Sequence, residues 1–119
     1  MISDLLAREA DFLTIGTNDL AQYTLVIDRE EAAIHEFYDP LNISMFRMIK
    51  MVIDNAHRYK KKVGICGEMA SDPSVTNIFL AMGADEISVN PSEVLQMRKV
   101  VCSTNVAEIS QQALQQLWN

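Results

Sequence analysis

Two short segments concentrate the residues able to do chemistry. The first is Gly16-Thr17-Asn18-Asp19, which sets an amide and a carboxylate beside flexible backbone N–H groups. That set suits a hard cation such as magnesium together with a phosphate or carboxylate, because hard cations take oxygen ligands and backbone N–H groups donate to anions. The same tetrapeptide also reads as a turn followed by an aspartate helix cap, since Asn and Asp serve both purposes. The second segment is Gly64-Ile65-Cys66-Gly67-Glu68. A thiol among glycines and next to a carboxylate is a candidate acid, base or nucleophile. Its alternative is a small buried residue, the usual place of a free cysteine.

The remaining reactive side chains are less distinctive. Arg29 follows Leu25-Val26-Ile27-Asp28, and its planar guanidinium suits either an anion clamp or a surface ion pair. Cys102 stands beside Val100 and Val101 and reads as core packing. His35 and His57 lack the paired-histidine spacing of a metal site and read as structural. The seven methionines are spread through helical segments and read as core filler. No Walker loop, G-x-G-x-x-G, Cys-x-x-Cys or G-x-S-x-G motif is present.

The elements that must hold these residues are set by periodicity. Residues 2–10 predict a helix, with Ser3 as a possible cap, and 11–15 a short strand closed by Gly16 to Asp19. Residues 19–26 predict a short helix, and 27–41 a largely irregular stretch. Ile43, Phe46, Ile49, Ile53, Ala56 and His57 recur on one face, predicting a helix over 43–60 with Lys60 to Lys62 at its C-terminal end. A second strand over 63–66 stops at Gly67. Asp72 as cap, Pro73 as first residue and Gly83 as stop bound the next helix. A third strand covers 86–89. Asn90 or Ser92 with Pro91 opens a helix through Val94, Met97, Val100 and Val101, and a last helix covers 105–118. Strands alternating with helices predict parallel βα units lying side by side. Ligands of such folds gather at the C-terminal ends of the strands, where both reactive segments fall.

Composition narrows the classes. The chain has 119 residues, 49% hydrophobic and 22% charged, with four Gly and three Pro, which excludes collagen-like and disordered chains. The net charge of −6, with Lys60-Lys61-Lys62 as the longest basic run, argues against nucleic acid or an anionic membrane as partner. No apolar run approaches the roughly 20 residues of a membrane span. Two cysteines and no visible secretory signal suit a reducing, cytoplasmic location. Three parallel strands leave two open edges, whereas a (β/α)8 barrel needs about 250 residues. The chain is therefore expected to be a very small α/β domain or part of a larger barrel.

The two segments, extended, resemble one family. The run Asp11-Phe12-Leu13-Thr14-Ile15-Gly16-Thr17-Asn18-Asp19-Leu20-Ala21-Gln22-Tyr23-Thr24-Leu25-Val26-Ile27-Asp28-Arg29 is similar to the phosphoenolpyruvate-utilising enzymes. So is Gly64-Ile65-Cys66-Gly67-Glu68-Met69-Ala70-Ser71-Asp72. The resemblance runs from about residue 5 to 103 and takes in Tyr38-Asp39-Pro40-Leu41 and Glu86-Ile87-Ser88-Val89-Asn90-Pro91. Gln22-Tyr23-Thr24-Leu25 and Cys66-Gly67-Glu68-Met69-Ala70 look most like the enzyme I branch, which serves bacterial sugar transport. Pyruvate phosphate dikinase and phosphoenolpyruvate synthase share the Gly-Thr/Ser-Asn-Asp-Leu and Cys-Gly cores. Ala21, Ile43 and Ile65 depart from the usual Thr, Pro and Met without touching a reacting group.

This resemblance implies that residues 1–119 are the last three βα units of a (β/α)8 TIM barrel, a partial barrel that binds phosphoenolpyruvate. It implies Asp19 as a magnesium ligand, with Asn18, Asp19 and Arg29 on the substrate. It makes Cys66 the acid that protonates the enolate carbon as pyruvate forms, on a loop supported by Gly67 and Glu68. An ordinary thiol keeps its proton near neutral pH, as that role requires. The family's second magnesium carboxylate, its other phosphate-binding arginines and its phosphorylated histidine lie on segments preceding Met1, and neither His35 nor His57 matches that histidine's motif. The parent reaction would pass phosphate from phosphoenolpyruvate to an enzyme histidine and on to the histidine-containing phosphocarrier protein. The chain alone is expected to be inactive, and the family implies a homodimer. The alternatives are a fragment of the dikinase or synthase, and a non-catalytic dimerisation module.

Overall fold

The computed structural model describes residues 2–26, 39 and 41–109. Three parallel strands, β1 (Phe12–Gly16), β2 (Lys62–Cys66) and β3 (Glu86–Ile87), lie side by side in chain order. Helix α1 (Ser3–Glu9) precedes them, α2 (Thr17–Leu25) and α3 (Ile43–Arg58) follow β1, α4 (Pro73–Met82) follows β2, and α5 (Val94–Ser103) follows β3. The predicted alternation of strand and helix is therefore present.

Boundary residues explain most of these elements. Asn42 caps α3 by accepting the Ser44 N–H at 3.0 Å, and Asp72 caps α4 by accepting the Ser74 N–H at 2.8 Å. Each removes one unsatisfied donor from a first turn. Pro73 is the first residue of α4, and Gly83 ends it in the left-handed region at φ 95°. Ser3 is not a cap: it lies inside α1, and its hydroxyl accepts from Asn55 Nδ2 at 2.9 Å. Lysines 60–62 do not extend α3, which ends at Arg58; Lys60 turns the chain at φ 58° and Lys62 opens β2. The third strand is two residues long rather than four. Of the expected last helix, residues 106–109 are helical and the rest lie outside the described residues.

The core lies between the helices and one face of the sheet. Ile15, Val63 and Ile65 pack against Met45, Phe46, Ile49, Ile53 and Ala56 of α3 and Val75, Phe79 and Met82 of α4, with Leu13, Ile87 and Val89 at its margin. On α3 the buried stripe takes in Met45 and leaves the expected Ile43 and His57 exposed. Successive strand residues point to opposite faces, so Phe12, Thr14, Lys62 and Glu86 stand on the other side. There they line an open cleft, and Phe12 is 66% exposed. Cys102 is exposed rather than packed in the core, because Met97 is the buried residue of α5.

His57 is structural, as expected. Its Nε2 lies 2.8 Å from Asp85 Oδ2, which also accepts the Val63 N–H at 2.8 Å. Burial pushes the Asp85 carboxyl up, but these two hydrogen bonds and the nearby His57 and Lys62 outweigh it and hold its pKa below the usual aspartate value. No helix among the described residues is long and apolar enough to cross a membrane.

Candidate active site

The parallel register brings the two reactive segments together. Gly16, the last residue of β1, pairs with Cys66, the last residue of β2. The chain does not turn after Gly16, because α2 starts at Thr17 directly from the strand. Thr17, Asn18 and Asp19 therefore occupy a first helical turn at the C-terminal edge of the sheet. Thr17 is fully buried, and its Oγ1 donates to the Cys66 carbonyl at 2.9 Å. Asn18 Oδ1 accepts the Glu68 N–H at 3.0 Å.

Cys66 is half-buried, and its Sγ donates to the Ile15 carbonyl at 3.5 Å. Gly67 comes next at φ 106°, ψ −177°, a region essentially reserved for glycine. A Cβ there would stand 2.3 Å from Thr17 Oγ1 and 3.1 Å from Asn18 Oδ1. The absence of a side chain at Gly67 thus lets the Cys66 loop rest directly on the start of α2.

A third strand end joins this edge. The turn Glu68–Ser71 after β2 meets the turn Pro91–Glu93 after β3 through a 2.7 Å hydrogen bond from Ser71 Oγ to Glu93 Oε2. Between them lies a polar cleft of about 560 Å³ lined by Asn18, Gly67, Glu68, Ser88 and Asn90. A groove of similar volume beside β3, lined by Leu80, Val94, Met97 and Val101, is more apolar and contains neither reactive segment. The polar cleft takes Asn18 from the first reactive segment and Gly67 and Glu68 from the second, while Cys66 and Asp19 are not among its lining residues.

Asn18, Asp19, Cys66, Gly67 and Glu68 thus converge on one edge, as the strand ends predict. Asp19 and Glu68 are exposed there. Arg29 lies outside the described residues. No cluster of three or more His, Cys, Asp or Glu among the described residues could enclose a metal ion. Asp19 nevertheless fits as one ligand of a magnesium ion, which binds through one or two carboxylates plus water and substrate oxygens. Thr17 is inconspicuous in the sequence. Its signal, a β-branched hydroxyl between strand and helix, is hidden when the segment is read as a turn.

Residues 1–106 match the family described as PEP-utilising enzyme, PEP-binding domain. The chain belongs to this family. It is 41% identical over 119 residues, 98% of its length, to the phosphoenolpyruvate-protein phosphotransferase of Enterococcus faecalis, covering 21% of that protein. It is 43% identical over 109 residues to the protein of the same name from Priestia megaterium, covering 92% of this chain and 19% of that one. A Bacillus relative of that name is 47% identical over 98 residues, covering 82% of this chain and 17% of its own length. The chain thus spans about a fifth of the length of these relatives. Within the family's phosphoenolpyruvate-binding domain, Cys66 and Asp19 stand at the edge of the sheet where parallel α/β folds take their ligands.

Proposed function

We propose that the chain supplies the proton-donating edge of the phosphoenolpyruvate site in a phosphoenolpyruvate–protein phosphotransferase. The observation that carries this is the half-buried Cys66 at a strand end, its backbone carbonyl bonded by Thr17 and its sulfur 3.5 Å from the Ile15 carbonyl. In the reaction, the bond between phosphorus and the enol oxygen breaks and the phosphoryl group passes to a histidine nitrogen. The electron pair stays with the enolate of pyruvate. Cys66 then gives its proton to the enolate carbon, forming a C–H bond, and the thiolate regains a proton from solvent. Asn18 and Arg29 contact the substrate, and Asp19 would hold magnesium. Bound magnesium would offset charge on the transferring phosphoryl group. His57 is bonded to Asp85 near the start of β2, whereas Cys66 ends that strand, so His57 is not assigned as the accepting histidine.

We assign the sheet to the last three βα units of a (β/α)8 barrel. Consecutive strand order with right-handed crossovers would put the helices on one face, and α3 and α4 pack together against Ile15, Val63 and Ile65. The uncovered face would then look into the barrel. The names of the relatives favour the phosphotransferase over the dikinase or synthase. The phosphocarrier protein would be the onward acceptor.

The test uses the protein at its full natural length. With phosphoenolpyruvate, magnesium and the phosphocarrier protein, Cys66→Ala should slow pyruvate formation about 100-fold or more, the usual weight of a positioned general acid. An unchanged rate would remove Cys66 from the chemistry. Pyruvate formation that needs ATP-linked interconversion instead of the phosphocarrier would move the protein to the dikinase or synthase branch.

A further inference from the structure

We infer that Thr17 is the positioning residue of Cys66, its hydroxyl fixing the Cys66–Gly67 peptide and through it the direction of the thiol. The inference rests on the reading of Cys66 as proton donor and assigns the group that aims it. Thr17 is fully buried, and its Oγ1 donates to the Cys66 carbonyl at 2.9 Å. Gly67 approaches the same oxygen so closely that a Cβ would stand 2.3 Å from it. The peptide is planar, so holding its carbonyl fixes its plane and the bond leading back to the Cys66 Cα. From that Cα the sulfur reaches the Ile15 carbonyl at 3.5 Å. Cys66 is thus held at both ends, carbonyl and sulfur, by residues flanking Gly16. The hydroxyl itself is well fixed: Thr17 is β-branched, stiff at χ1, and seated at the rigid start of α2. A residue serving only to fill space would need the methyl group and not the hydroxyl.

Thr17→Val keeps the shape and removes the donor, while Thr17→Ser keeps the donor and removes the methyl. In the protein at its full natural length, the rate of iodoacetamide alkylation at Cys66 is read by peptide mass spectrometry against Cys102, which is exposed on α5. Thr17→Val should raise the Cys66-to-Cys102 ratio at least three-fold and lower kcat for pyruvate formation with little change in KM. Thr17→Ser should restore the wild-type ratio. An unchanged ratio in folded Thr17→Val overturns the inference, and so does a Thr17→Ser ratio shifted away from wild type. The serine arm decides the matter if the valine variant does not fold. Intact pyruvate formation in Cys66→Ala would sink the functional reading without touching the thiol measurement. An unchanged ratio beside an inactive Cys66→Ala would sink the positioning role alone.

Discussion

Gly67 carries the sharpest constraint at the scale of single residues. Its φ of 106° with ψ near 180° costs a side-chain-bearing residue about 1–3 kcal/mol. The Cβ would also meet Thr17 Oγ1, a group held in place by its own hydrogen bond rather than free to swing aside. Gly67→Ala is therefore expected to lower stability by about 2 kcal/mol or more and to loosen Cys66. Urea denaturation reads the first effect, and a loss within a few tenths of a kcal/mol would contradict this account. The two cysteines differ in how legible they are from sequence. Cys66 declares itself through its glycine and carboxylate neighbours. Cys102 looks like core because Val100 and Val101 precede it, yet its helix buries Met97, and the Cys102 side of α5 faces the groove beside β3.

Helix and strand ends show what holds the elements in register. Asp85 joins three of them, sitting just before β3, bonding the β2 backbone at Val63 and meeting His57 at the end of α3. Its folded-state pKa lies below the unfolded value, so the folded state prefers the ionised form. The resulting stability is present above the unfolded value near 4 and is lost as pH falls through the lower folded value. Asp85→Ala should cost about 1–2 kcal/mol at pH 7, since it leaves the Val63 N–H without its partner. The difference from wild type should shrink progressively below about pH 4. A gap that stays constant down to pH 2 would show that the carboxylate charge is not what matters. Caps such as Asp72 and Gly83 are legible because each acts within a few residues of its own position. Asp85 is not, since its partners lie 22 and 28 positions away.

At the scale of the whole molecule, the sheet is covered on one side. Parallel sheets are ordinarily buried on both faces. Here the face bearing Phe12, Thr14, Lys62 and Glu86 is open, and Leu5 and Leu6 of α1 are each 52% exposed. Open strand edges and bare apolar side chains favour association. The 119-residue chain should sediment as dimers or larger species. A monodisperse monomer in ultracentrifugation would count against the partial-barrel assignment.

The alternation of strand and helix, most of the helix boundaries and the two segments that meet at the strand ends are all legible in the residues alone. Those are local properties: hydrophobic period, cap chemistry and turn residues act over a few positions. How the segments meet depends on contacts between residues far apart in the chain. The β1–β2 register sets Gly16 against Cys66 and so brings Thr17 under the Cys66 carbonyl across 49 positions of chain. It also replaced the expected turn at Gly16 with a helix start, because burial of Thr17 between strand and loop outweighs the turn preference of Asn18 and Asp19.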